Sequence, residues 1–126
     1  MTATRLPCLG SIVWAELDVP NGFRKRRPAV VVSPTIDIDR GKPIVVAAIT
    51  TRAPDSLPDD YVLLPWNPQG TRSGMRRRCA AVASWLCSVL ADEVRLAGIL
   101  PPAVIAEVLA KIKLNRPLDD RNGDAE

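Results

Sequence analysis

From Pro101 onward the apolar residues recur at helical spacing, whereas ahead of it they come in runs of strand length separated by proline and glycine. Val104, Ile105, Val108, Leu109 and Ile112 fall at i, i+1, i+4, i+5 and i+8, which is one face of a helix. Pro101 or Pro102 suits its first turn, where an N–H has no intrahelical partner, and Lys111 and Lys113 suit the negative end of its dipole. Before that point Ser11 to Leu17 alternates Ile12, Trp14 and Glu16 with Val13, Ala15 and Leu17, the period of a strand. The turn chemistry of Pro20, Asn21 and Gly22 follows, and then "PAVVVS", a second strand that starts on Pro28, where a missing N–H costs least. Ile44 to Thr51 reads as the third strand, Tyr61 to Leu64 as a short fourth, and "CAAVASWLCSVL" as a fifth with a bend near Ala83 or Ser84.

About five strands and one helix in 126 residues predict a single domain over residues 1–116, mainly β with a C-terminal helix. Its sheet should be strongly curved or closed into a small barrel. The polar tail at 117–126 has no periodicity and is expected to be disordered.

Charge is distributed unevenly. Residues 1–78 hold 12 Lys and Arg against 7 Asp and Glu, and residues 79–126 hold 5 against 7. The basic half carries two knots, Arg24-Lys25-Arg26-Arg27 and Arg76-Arg77-Arg78. Paired cationic clusters on a small domain point to a polyanionic partner, nucleic acid or an acidic protein, although either run alone also fits a solvated surface.

Other classes are narrowed by what the sequence lacks. With no histidine in the chain, the commonest acid–base group and the Ser-His and Cys-His nucleophile pairs are absent. The cysteines, Cys8, Cys79 and Cys87, are odd in number and have no metal-ligand spacing, so reduced thiols and no bound metal are expected. No apolar run approaches the roughly 20 residues that span a bilayer, and Met1 to Leu9 lacks the long apolar core of a secretory signal. A cytoplasmic protein away from the membrane is the expectation.

"GSIVWAELD", a Gly-containing loop, "RRPAVVVSP", "AITT" and the helix "PPAVIAEVLAKIKL" together resemble the MazF/PemK toxins of bacterial type II toxin–antitoxin pairs, in order from Gly10 to about Leu114. The resemblance implies the small SH3-like barrel that this family shares with the gyrase poison CcdB. It implies a homodimer, cleavage of single-stranded RNA without a metal or cofactor, and inhibition by a cognate acidic antitoxin.

Matched position by position, the family's catalytic arginine falls on Arg27 and its catalytic threonine on Thr50. Phe23, Arg24, Lys25, Arg26, Thr51, Arg76, Arg77 and Arg78 would bind RNA, the cations through phosphates and Phe23 by stacking on a base or by stapling the loop. The loop "GFRKRRP" is two residues shorter than the G-S-E-x-x-x-x-R-P form of many relatives, with Arg24 near the place of the acid, and "CAAVASWL" lacks their Asp-Gln pair. Because arginine stays protonated, removal of the 2′-OH proton falls to Glu16, Asp18 or solvent.

Blander roles remain open from sequence: Arg27 as a strand-edge cation paired with Asp18 or Glu16, and Thr50 as an ordinary strand threonine. Trp14 and Trp85 read as core residues and Trp66 as a partner contact. Two other functions compete with the nuclease, a catalytically weak or dead RNA- or antitoxin-binding module of the same fold and a CcdB-like gyrase poison.

Overall fold

The structure, a computed structural model, describes residues 6–18 and 24–115. Six strands form one antiparallel sheet: β1 (Ser11–Asp18), β2 (Arg24–Val31), β3 (Pro43–Thr50), β4 (Tyr61–Leu63), β5 (Ala80–Leu90) and β6 (Arg95–Ile99). Their spatial order is β4-β5-β3-β2-β1-β6, and a single helix, α1 (Pro102–Asn115), follows them.

The sheet is curled and buried on both faces. Because side chains alternate across a strand, Ile12, Val30, Ala47 and Ile49 meet Ile105 and Val108 of α1 on one side. Their neighbours Val13, Ala29, Val31, Val46 and Ala48 pack with Ala91 and Val94 on the other. Two-sided burial is why β2 and β3 read as continuous apolar runs rather than alternating ones. Each fully buried Ile or Val among them stabilises the fold by about 1.5–3 kcal/mol before chain entropy is counted.

The sheet edges β4 and β6 are not paired with each other, and the segment between β4 and β5 bridges them. Leu64 N–H donates to Cys79 O at 3.0 Å, Asn67 N–H to Met75 O at 3.1 Å, and Ile99 N–H to Arg72 O at 2.8 Å. This closure requires two glycines. Gly74 has φ +81° and a Cβ there would stand 2.5 Å from Ala97 O, while a Cβ on Gly98 would run into the carbonyls of Arg72 and Ser73. Both side-chain-free positions let the bridging segment lie directly on β6.

Two expectations are corrected. The strands number six rather than five: Arg95–Ile99 is short and contains Gly98, so its local preference for strand is weak, and pairing with β1 decides its state. In addition, β2 begins at Arg24, not Pro28, so the basic knot is strand and not loop. The hairpin with β1 extends it: the register pairs Asp18 with Arg24 along the backbone and sets Glu16 against Arg26, opposite charges directly across the ladder.

Between the pairs Ala47↔Leu86 and Ile49↔Ala81, β5 carries the longer segment, so it bulges at residues 82–85. Ala83 N–H donates to Asp60 O at 2.7 Å and Ser84 Oγ to Asp60 Oδ2, which ties the bulge to the turn before β4. Among the described residues, no helix is long and apolar enough to cross a membrane.

Candidate active site

The site opens where β2 parts from β3. Pairing of β1 with β2 runs from Ile12↔Val30 to Asp18↔Arg24, but pairing of β2 with β3 covers Ala29↔Ala48 to Val31↔Val46. It stops just short of Pro28, which has no N–H to offer a ladder. Continued by two places, that register would bring Arg27 towards Thr50, and strand alternation puts both on the face that carries Ala29 and Ala48.

Both residues line a cleft of about 810 Å³. Its described lining holds six cations, Lys25, Arg26, Arg27, Arg52, Arg76 and Arg77, and no carboxylate. Such a wall attracts and concentrates anions. Two indoles, Trp14 and Trp85, complete it together with Thr51 and Met75.

Thr50 is fixed by its own backbone. Its Oγ1 accepts a hydrogen bond from Arg52 N–H at 3.1 Å, a local side-chain turn. With that acceptor engaged and χ1 stiffened by β-branching, the hydroxyl proton remains available to an oxygen in the cleft.

Arg27 is held from below. Its Cζ lies 5.3 Å from the centroid of the Trp85 ring, within cation–π range. Its Nε is buried and has no hydrogen-bond partner. A buried donor left unpaired costs about 1–3 kcal/mol.

A family described as "PemK-like, MazF-like toxin of type II toxin-antitoxin system" matches residues 9–115. The chain belongs to this PemK/MazF toxin family. A crystal structure of MazE-MazF from Deinococcus radiodurans is 26% identical, with a TM-score of 0.63 over 90% of this chain and 99% of that one. An endoribonuclease from a mycobacterial species in complex with its cognate antitoxin is 17% identical, with a TM-score of 0.61 over 88% and 97% of the two chains. Toxin MazF-mt6 of Mycobacterium tuberculosis is likewise 17% identical, with a TM-score of 0.62 over 82% and 93%. These last two speak for the fold alone. No curated protein matches by sequence.

In this PemK/MazF toxin the cleft gathers Lys25, Arg26, Arg27, Thr50, Thr51, Arg76 and Arg77 from the residues singled out in the sequence. Arg78 is turned elsewhere: its Nη1 donates to Ala53 O at 2.6 Å and its Nη2 to Pro54 O at 2.9 Å, which fastens the segment after β3. Glu16 lines a separate cavity of about 310 Å³ with Arg26 and Glu93. Phe23 and the side chains of Asp18 and Arg24 lie outside the described residues.

Trp14 departs from its expected core role, because it is 36% exposed and faces the cleft opposite Pro28. Trp85 combines both roles, packing on the second core cluster while its ring faces Arg27. Trp66 is exposed and away from the cleft. Arg52 was not anticipated; its one sequence signal is that it directly follows Thr50 and Thr51. Burial pushes the Cys79 thiol up to about 11, so it stays protonated at neutral pH.

Proposed function

We propose that this toxin is an endoribonuclease that cleaves single-stranded RNA, with Arg27 and Thr50 acting on one phosphodiester. The observation that carries the proposal is that both residues line one cationic cleft whose described lining has no carboxylate. In the reaction the ribose 2′-oxygen bonds to phosphorus, its proton passes to solvent, and the bond from phosphorus to the 5′-oxygen breaks. The departing 5′-oxygen takes a proton, which leaves a 2′,3′-cyclic phosphate and a 5′-hydroxyl.

Negative charge grows on the non-bridging oxygens as this happens. A guanidinium offering two donors matches that charge and geometry, and the Thr50 hydroxyl donates beside it. Lys25, Arg26, Arg52, Arg76 and Arg77 position the strand through its phosphates without reading its bases. The toxin would act as a homodimer and be neutralised by a cognate acidic antitoxin drawn to the same charge, a role supported by the MazE-MazF likeness.

The test is incubation of single-stranded RNAs of varied sequence in EDTA, with the product ends identified by mass spectrometry. Cyclic phosphate and 5′-hydroxyl ends, abolished by Arg27→Ala, are expected. RNA that stays intact across a varied panel would overturn the proposal.

A further inference from the structure

Arg27 and Trp85 come from strands that are not neighbours, since β3 lies between β2 and β5. Their contact depends on the β5 bulge. A regular ladder would advance one residue on β5 for each on β3, but between Ala47↔Leu86 and Ile49↔Ala81 the β5 segment is longer, and Trp85 sits within the excess. Bulges bend a strand and re-aim its side chains, and they concentrate beside active sites. This one is pinned from outside by Asp60, through Ala83 N–H and Ser84 Oγ.

The Arg27 Cζ lies over the indole it delivers, 5.3 Å from the ring centroid. A ring beneath a guanidinium restrains it while leaving its N–H donors free for other partners. One of those donors, Nε–H, is buried and unpaired. Native structures seldom leave a buried polar group unpaired.

We propose that Trp85 is a positioning residue: it backs the Arg27 side chain, whose Nε is buried, so that the terminal Nη edge of the guanidinium is aimed into the cleft at a non-bridging phosphate oxygen. This rests on the ribonuclease reading for its chemical consequence, but not for its geometry. Burial of Nε fixes the stem of the side chain and leaves the terminal donors to the substrate. A lysine at position 27 has no equivalent edge and cannot replace it.

Two measurements test the assignment. In ¹⁵N-labelled wild-type protein the Arg27 Nε–H resonance, identified by its loss in Arg27→Lys, should be shifted upfield by the ring. It should shift again when a 2′-O-methyl oligonucleotide, which keeps its phosphates but cannot be cut, is added. An Nε–H at the random-coil position, or one indifferent to the oligonucleotide while backbone resonances of the cleft respond, would overturn the proposal whether or not the protein cleaves RNA.

In cleavage assays Trp85→Leu should lower kcat by about tenfold or more with KM little changed, because a misaimed donor acts on the transition state. Trp85→Phe, which keeps an aromatic face, should recover most of that loss. In an Arg27→Lys background Trp85→Leu should cause little further loss, as coupled residues are not additive. Trp85→Leu with wild-type kcat, or equal losses for Phe and Leu in variants of unchanged thermal stability, would also overturn it. Absence of cleavage by the wild-type protein would instead remove the ribonuclease reading and leave the resonance to decide the geometry.

Discussion

Replacing Arg52 and replacing Arg78 should have opposite signatures, although both are arginines of the basic half. The cleft lining holds six cations, Arg52 among them, whereas Arg78 is committed to the carbonyls of Ala53 and Pro54. For single strands log K falls with log salt at a slope of about −0.7 per neutralised phosphate. If each lining cation meets one phosphate, the six give a slope near −4. Between about 50 and 200 mM salt that amounts to a loss of affinity of roughly 300-fold. Arg52→Ala should flatten the slope by about 0.7 and weaken binding at low salt. Arg78→Ala should leave the slope unchanged and lower thermal stability, because two carbonyls lose their donor. Fluorescence anisotropy of a labelled 2′-O-methyl oligonucleotide, titrated across a salt series, measures both. A wild-type slope in Arg52→Ala, or a slope flattened by Arg78→Ala, would refute the assignment of these two side chains.

Other consequences follow from the packing. Gly98→Ala should destabilise the fold by about 1–3 kcal/mol in urea unfolding, since its Cβ meets the carbonyls of Arg72 and Ser73; an unchanged midpoint would show that the bridging segment does not lie on β6. The Cys79 thiol is raised from 9.0 to about 11 in the folded protein, so the unfolded chain loses its proton first as pH climbs. Stability from this group is therefore complete below pH 9.0 and falls as pH rises towards about 11, and Cys79→Ala should make the unfolding free energy flatter over that window. An equally steep fall in the variant would assign the effect elsewhere.

Much of the fold was legible because local and global signals agree. The helical period after Pro101 is set by Val104, Ile105 and Val108, which reach the core, and the β-branched runs of β2 and β3 are strands buried on both sides. β6 escaped because Arg95 and Gly98 prefer no strand on their own, and only the partner β1 and the close approach of Arg72 and Ser73 define it. The site divides the same way. Arg27 and Thr50 could be marked from neighbouring motif residues, Pro28 and Thr51, and both line the cleft. Arg78 and Arg76 look alike in a basic run, and only the carbonyls of Ala53 and Pro54 distinguish them. The bend expected near Ala83 or Ser84 is the β5 bulge, but nothing local tells that it turns Trp85 onto Arg27 from two strands away.

The central claim is that Arg27 and Thr50 stabilise the same phosphate, and a double-mutant cycle on single-turnover RNA cleavage tests it most directly. Arg27→Ala and Thr50→Ala should each slow cleavage by about a hundredfold or more, and the double variant should be little slower than the worse single one. Losses that multiply would mean that the two side chains act independently, and a full rate in either single variant would contradict the account outright.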